Sequence, residues 1–225
     1  MTIDDALVLP DEAPAAASGW STATLRTRLL EVAAAGALAA VLLVLLWLKA
    51  RPDFWIAIGQ PFFWIKGLYT AALAAIALGG AVAAARPGAS ARVALAIGGG
   101  LITVMAVIAA FEAPGLSPAM LTHVFDLGGA LASLANVAIL SAPMLLIAGI
   151  GLRGVELERP GLTGLFVGLF CGGVAASVYG VHCLDSTFLF VTLWYTAAVL
   201  LCGAIGAAGL KLIARRPLPD RVIGA

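Results

Sequence analysis

Charged residues are scarce in this 225-residue chain, in which Asp, Glu, Lys and Arg together make up 11% of the residues. A soluble domain carries about 25% charged residues, because a globule needs a polar surface. Hydrophobic residues instead reach 62%, and the mean hydropathy is +1.07. This composition excludes a soluble enzyme. The net charge of +1 also leaves no strongly basic surface for direct binding of nucleic acid.

The hydrophobic residues fall into six runs, at residues 29–48, 62–85, 91–111, 127–152, 162–181 and 188–213. Each run is long enough to cross a hydrocarbon layer of about 30 Å as a helix. None shows the polar–apolar alternation of a transmembrane β-strand. The sequence therefore predicts an all-α integral membrane protein, a six-transmembrane-helix bundle whose transmembrane domain covers residues 29–213.

Positive charges predict the orientation of this bundle. Ten of the 13 Lys and Arg residues lie in the amino-terminal segment, the second and fourth connections and the tail. Cytoplasmic loops are enriched in Lys and Arg, so both termini are predicted to be cytoplasmic, in a multi-pass protein of the bacterial inner membrane. Residues 1–28 then form a cytoplasmic segment, whose prolines and small residues are typical of disorder, and residues 214–225 form a cytoplasmic tail.

Ionisable side chains are almost absent from the centres of the predicted spans. Five lie near span ends, where long side chains can reach the membrane surface: Glu31, Lys66, Glu112, Asp126 and Lys211. Pumps and proton-coupled carriers bury such groups at the bilayer centre, so a small-solute transporter is the less favoured alternative. Asn136, a lone amide within a span, either lines a polar pore or makes a helix–helix hydrogen bond. A membrane redox protein is a further alternative, but the chain lacks a CxxC pair, and no cofactor is predicted.

Small residues recur every fourth position along the fifth run, at Gly164, Gly168, Gly172, Ala176 and Gly180. This spacing places them in one stripe, which lets another helix backbone approach closely. The stripe packs either within the chain, against Gly203 and Ala207 of the sixth run, or against a second copy. A homo-oligomer therefore stays open.

The three cysteines differ in their predicted surroundings. Cys171 and Cys202 lie near span centres, where a thiol acts as a small apolar filler. Cys183 ends the fifth run beside His182 and Asp185, and an exposed thiol on an oxidising outer side is reactive. These last three residues are the candidate sensing residues.

A metal site is a second interpretation of the same region. His123 and Asp126 precede the fourth run on the same predicted side, and together with His182, Cys183 and Asp185 they offer ligands for a soft or borderline metal. The metal candidates are thus His123, His182 and Cys183. The alternative is a set of unrelated polar residues at helix ends, since their spacing matches no established metal-binding motif.

Residues 179–195, which include Tyr179, His182, Cys183, Asp185, Trp194 and Tyr195, resemble the most diagnostic segment of the NrsF-type anti-sigma factors. Two shorter segments also match, one spanning Arg51, Pro52 and Asp53 and the other spanning Trp64 and Lys66, as does the short connection Arg86-Pro87-Gly88. The resemblance covers residues 29–213. It implies that the motif residues outside the candidate sensing set have structural roles.

The resemblance implies a function as well as a fold. NrsF-type proteins are six-span inner-membrane proteins that hold an extracytoplasmic-function (ECF) sigma factor inactive. A member of this family is expected to release its sigma factor on envelope, metal or oxidative stress, and to have no enzymatic activity. Its expected partners are the ECF sigma factor and the lipid bilayer.

The chain departs from the family pattern at one of two cysteines linked to signal reception. One family cysteine matches Cys183, whereas the other would lie near Ser133, and no cysteine occurs between residues 112 and 151. Either Cys183 works alone, through a metal or a second chain, or this chain has lost the switch.

The amino-terminal segment offers a route to the sigma factor. Asp4 and Asp5 carry negative charge, and Ile3 and Leu7 are one helical turn apart. Such an acidic, partly apolar peptide complements the basic DNA-reading surface of a sigma factor. The alternative is a solvated, disordered leader.

Overall fold

The computed structural model describes residues 22–86, 88–153 and 157–214, and within these ranges the chain contains helices and no strands. Six helices are long and apolar enough to span a membrane, which confirms the six predicted runs. They are α1 (Thr22–Leu43), α2 (Pro61–Ala84), α3 (Arg92–Glu112), α4 (Leu127–Gly151), α5 (Pro160–Tyr179) and α6 (Thr196–Ala214). Helix α1 starts before the predicted domain boundary at residue 29 and continues as a π-helical turn, Val44–Leu48.

Shorter helical segments lie in the connections. They are Phe54–Ala57, the 3-10 turn Ala113–Gly115, Pro118–Val124, and the pair Phe188–Phe190 and Val191–Tyr195, which leads directly into α6. The second of that pair is a π-helical turn. The described connections are therefore partly helical.

Local sequence explains where several helices begin. Proline occupies the first turn of α2 and α5, where its missing N–H has no helical acceptor to lose. The Asp126 carboxylate accepts a hydrogen bond from the Gly129 backbone N–H at 2.8 Å and so caps α4. Gly88, between α2 and α3, has φ of +70°, a conformation that disfavours other residues.

Helix α5 is the most buried of the six spans and lies at the centre of the bundle. A Cβ atom added at Gly164 would clash with the Gly206 carbonyl oxygen, and one at Gly168 would clash with the Cys202 carbonyl oxygen. The glycines thus allow the backbones of α5 and α6 to touch. This confirms that the stripe packs within the chain, although Gly206 rather than the predicted Ala207 faces Gly164.

Several polar side chains inside the long helices contact one another. The Tyr69 hydroxyl is 2.7 Å from Thr196 Oγ1 and joins α2 to α6. The Tyr179 hydroxyl of α5 is 3.2 Å from Ser133 Oγ and also interacts with the Asn136 side chain of α4. Asn136 therefore makes a helix–helix contact, and the pore interpretation of this residue loses its support.

The connections gather on two opposite faces of the bundle. On one, named the odd face, the first, third and fifth connections meet: His182 Nδ1 lies 2.8 Å from the Lys49 carbonyl oxygen, linking the first and fifth. On the other, the even face, the second and fourth connections meet, and the Gly88 backbone N–H donates to Glu158 Oε2 at 3.2 Å. This grouping is what six alternating up-and-down helices require.

Candidate functional site

The candidate site is the fifth connection, residues 180–187, named the fifth loop. Its first residues complete the last turn of α5, since the Cys183 backbone N–H donates to the Tyr179 carbonyl oxygen at 3.1 Å. The first connection then fastens it, because the Arg51 backbone N–H donates to the Val181 carbonyl oxygen at 3.2 Å. The loop is thus held by backbone bonds at its start and by side chains further along.

Lys66, in the first turns of α2, is the principal side-chain anchor of the fifth loop. Its Nζ donates to the Cys183 carbonyl oxygen at 2.7 Å and to the Asp185 carbonyl oxygen at 3.4 Å. Only 1% of Lys66 is exposed, because its ammonium lies against the backbone of the fifth loop. A buried ammonium needs hydrogen-bond acceptors in place of water, and the carbonyls that follow a helix C-terminus supply them.

Arg51 reinforces this anchor from the first connection. Its Nη1 donates to the Cys183 carbonyl oxygen at 3.4 Å, while its Nε and Nη2 donate to the two Asp53 carboxylate oxygens at 2.6 and 2.8 Å. This bidentate geometry fixes the guanidinium plane. The hydrogen bonds from Arg51 lower the pKa of Asp53, and the same bonds raise the pKa of Arg51.

We expect the pair to make an acid-sensitive contribution to stability. Because folding lowers the pKa of Asp53 below its ordinary value of 3.8, the contribution is complete above that value and disappears as the pH falls through the lower, folded pKa. The melting temperature of the wild type should exceed that of Asp53→Asn at pH 7, and the gap should close at acid pH. A gap that stays constant down to pH values well below 3.8 would contradict an ionic contact.

Cys183 lies beneath these anchors, and the prediction of an exposed thiol is wrong. Only 4% of the residue is exposed, and its carbonyl oxygen is bonded to the buried Lys66 ammonium. Its Sγ donates to Asp185 Oδ2 at 3.5 Å. Burial raises the pKa of the Cys183 thiol, and the positive charge of Lys66 partly opposes that rise.

The structure brings together only part of the predicted polar cluster. His123 Nε2 lies 2.8 Å from Asp185 Oδ1, so His123, Asp185 and Cys183 form a chain of contacts. The other two members point elsewhere, since His182 turns to the Lys49 carbonyl and Asp126 caps α4.

The metal interpretation finds no support in this geometry. In the part of the chain that the structure describes, no group of three or more His, Cys, Asp or Glu side chains is placed to hold a metal ion. The sequence grouped His182 and His123 as possible ligands of one metal ion. In the structure their rings contact different partners, the Lys49 carbonyl oxygen and the Asp185 carboxylate.

The motif residues at the start of α6 pack around the same site. The Trp194 indole N–H donates to the Val124 carbonyl oxygen at 2.7 Å, and the Tyr195 ring lies 5.8 Å from the Tyr179 ring. Sequence reasoning missed Glu112, whose Oε2 accepts a hydrogen bond from the Leu189 backbone N–H at 2.9 Å. The only sequence feature that could have indicated this contact is the position of Glu112 at the end of a predicted span, just before Ala-Pro-Gly.

The remaining motif residues lie at the rim of the odd face. Pro52 is exposed between Arg51 and Asp53, and the Trp64 indole N–H donates to the Ile58 carbonyl oxygen at 2.8 Å. The candidate partner-binding residues lie outside the described residues; they are Ile3, Asp4, Asp5 and Leu7.

Comparison with known proteins places this geometry in a family. The family model described as NrsF, negative regulator of sigma F, matches residues 15–215. The chain is 40% identical over 183 residues to the anti-sigma-F factor NrsF of Caulobacter vibrioides (strain NA1000 / CB15N), covering 80% of this chain and 84% of that protein. It is 32% identical over 171 residues to the probable anti-sigma-F factor NrsF of Azospira oryzae (strain ATCC BAA-33 / DSM 13638 / PS). That match covers 76% of this chain and 80% of that protein.

No solved structure matches the chain. The resemblance seen in residues 179–195 is nevertheless confirmed, because the family match spans all six long helices. The chain belongs to the NrsF family of negative regulators of sigma F.

Proposed function

We propose that this protein is an anti-sigma factor of the bacterial inner membrane, which holds an ECF sigma factor at its even face and releases it on stress. The observation that carries the proposal is the family match over residues 15–215, supported by two relatives named as anti-sigma-F factors. A regulatory protein of this kind needs no catalytic centre.

The charge distribution supports placing the even face in the cytoplasm. The connections and the tail on that side carry most of the Lys and Arg residues, as the positive-inside rule requires of cytoplasmic loops. The acidic amino-terminal segment then lies on the same side as the sigma factor. There, Asp4 and Asp5 complement the basic DNA-reading surface that a sigma factor must expose.

The fifth loop is the proposed receiver on the outer side. Cys183 ends α5, and its carbonyl oxygen is the shared acceptor of Lys66 and Arg51. A chemical change at the Cys183 side chain would disturb those bonds and shift α5 against α6, with which it is in backbone contact. Since that contact extends from Gly172 to Gly164, a shift at the odd face is transmitted toward the even face.

Replacing Cys183 by serine tests the receiver. We expect uninduced transcription from the sigma-dependent promoter to stay low in Cys183→Ser, and induction by an oxidant or a soft metal to be lost, measured with a reporter gene. Cys171→Ser is the matched control, because Cys171 is fully buried at mid-span and should leave induction as in the wild type.

Unchanged induction in Cys183→Ser would remove this residue from the mechanism. Deletion of the whole gene must raise the uninduced reporter signal. A deletion strain with unchanged transcription would refute the anti-sigma role itself.

A further inference from the structure

A groove runs between α4 and α6 near the even face, and α5 forms its floor. It encloses about 270 Å³ and is lined by apolar residues except at one end. Its walls include Leu146 and Ile150 of α4 and Ile205 of α6, and these three side chains are exposed. The groove therefore opens sideways, out of the bundle, rather than into an enclosed core.

Three glycines leave the room in this groove. Gly164 of α5 and Gly206 and Gly209 of α6 line it without side chains. At the first two the helix backbones meet, whereas a Cβ atom added at Gly209 would have no neighbour within 4 Å. The space beside Gly209 is thus not taken up by another helix. Apolar cavities stay dry, so in a membrane a hydrocarbon chain is the occupant that this space fits.

Arg153 lies at the even end of the groove, just after α4, and among the described lining residues it alone is charged. Its side chain is exposed, and the ion pairs between described residues do not include it. Glu158, in the connection that follows, bonds instead to the Gly88 backbone N–H and the Arg159 guanidinium. A guanidinium at the end of a hydrocarbon groove complements the phosphate of a lipid headgroup.

A second groove of similar size lacks this charge. It encloses about 220 Å³ among α2, α3, α5 and α6, and its lining includes Leu73, Gly99 and Leu200. Of the described residues that line it, none is charged. Its walls suit an acyl chain, but nothing there selects a headgroup. The second groove is therefore an internal control for the first.

We infer that the groove between α4 and α6 binds one anionic phospholipid, with an acyl chain beside Gly209 and the headgroup phosphate at Arg153. The inference rests on the proposed function for its membrane setting and adds a ligand other than the sigma factor. From Leu146 to Arg153 the chain rises about 10 Å along the helix axis, so the groove holds the part of the acyl chain nearest the headgroup. The bound lipid packs against the contact of α5 and α6 at the face where the sigma factor is proposed to bind.

The headgroup is tested by native mass spectrometry of the full-length protein in detergent micelles, titrated with phosphatidylglycerol or with phosphatidylcholine of the same acyl chains. We expect the wild type to bind one phosphatidylglycerol about fivefold more tightly than phosphatidylcholine, as one basic side chain at an anionic lipid predicts. Arg153→Gln should lose this preference. Arg92→Gln is the matched control, because Arg92 is exposed on the same face but does not line the groove, and it should keep the preference.

The acyl chain is tested by filling the groove. Gly209→Phe should weaken the binding of both lipids at least about tenfold, because a phenyl ring and an acyl chain cannot share the space and overpacking costs this much. Gly99→Phe is the matched control in the second groove, where an added Cβ atom also has no neighbour within 4 Å. It should leave the preference for phosphatidylglycerol as in the wild type.

Equal affinity of the wild type for the two lipids, or a preference that survives in Arg153→Gln, would overturn the inference. Unchanged binding in Gly209→Phe would also overturn it, as would the mass of a dimer without lipid, which would show that a second copy covers the groove. Size-exclusion chromatography checks folding, and Gly209→Leu replaces Gly209→Phe if the latter does not fold. The readout needs no sigma factor, so its failure would leave repression untouched, whereas unchanged transcription in the deletion strain would leave the lipid preference standing.

Discussion

A valine at Gly168 should leave little folded protein. The Cβ atom alone would clash with the Cys202 carbonyl oxygen and would lie 2.8 Å from the Gly203 Cα atom, and both neighbours are backbone atoms of α6. Backbone cannot move aside as a flexible side chain can, so α5 and α6 must separate along their whole contact. Overpacking of this kind costs about 3 kcal/mol or more, which lowers the folded-to-unfolded ratio more than a hundredfold.

The measurement is the fraction of monodisperse protein that survives heating in detergent, followed by size-exclusion chromatography. Gly209→Val is the matched control, because Gly209 lies on α6 and a Cβ atom there has no neighbour within 4 Å. The control carries the same change in helix propensity as Gly168→Val. Equal survival of the two variants would show that α5 and α6 do not touch at Gly168.

The sequence was sufficient to predict the helices and the principal helix contact. Hydrophobic runs longer than a bilayer is thick leave the backbone no alternative to a helix, so six spans followed from composition and length. The spacing of Gly164, Gly168 and Gly172 likewise identified the face of α5 that meets α6. Both inferences depend on residues close together in the chain.

The environment of the site depends on contacts that no local pattern records. Lys66 reaches a carbonyl oxygen 117 residues away, and His123 reaches Asp185 across 62 residues. Position near a span end gave no sign that Lys66 and Cys183 are buried, yet the first and fifth connections contact each other beside both. Family resemblance marked these positions as important, but only the fold shows which atoms they join.

Replacing Lys66 by methionine should free the fifth loop without unfolding the protein. Methionine keeps the length and the packing of the side chain but removes both hydrogen bonds to the loop carbonyls. Loss of a buried charge offsets much of the cost, since apolar replacements of buried charges are often neutral in stability. The effect should therefore be local, on the order of the 1.5–3 kcal/mol of a charged hydrogen bond.

The local effect can be read from the accessibility of Cys183. Alkylation of Cys183 by a maleimide should be slow in the wild type, where 4% of the residue is exposed, and at least about tenfold faster in Lys66→Met. Lys49→Met is the matched control on the same face, because that side chain is exposed and should leave the rate unchanged. An unchanged rate in Lys66→Met would show that other contacts hold the loop.

The most direct measurement is the affinity of the sigma factor for the full-length protein in nanodiscs, comparing the wild type with Lys66→Met. The sigma factor used is the one whose promoters the protein silences in cells. We predict saturable binding to the wild type and an affinity at least about tenfold lower for Lys66→Met, a typical size for coupling between distant sites. Absence of saturable binding to the wild type would contradict the anti-sigma role, and equal affinities would contradict control by the fifth loop.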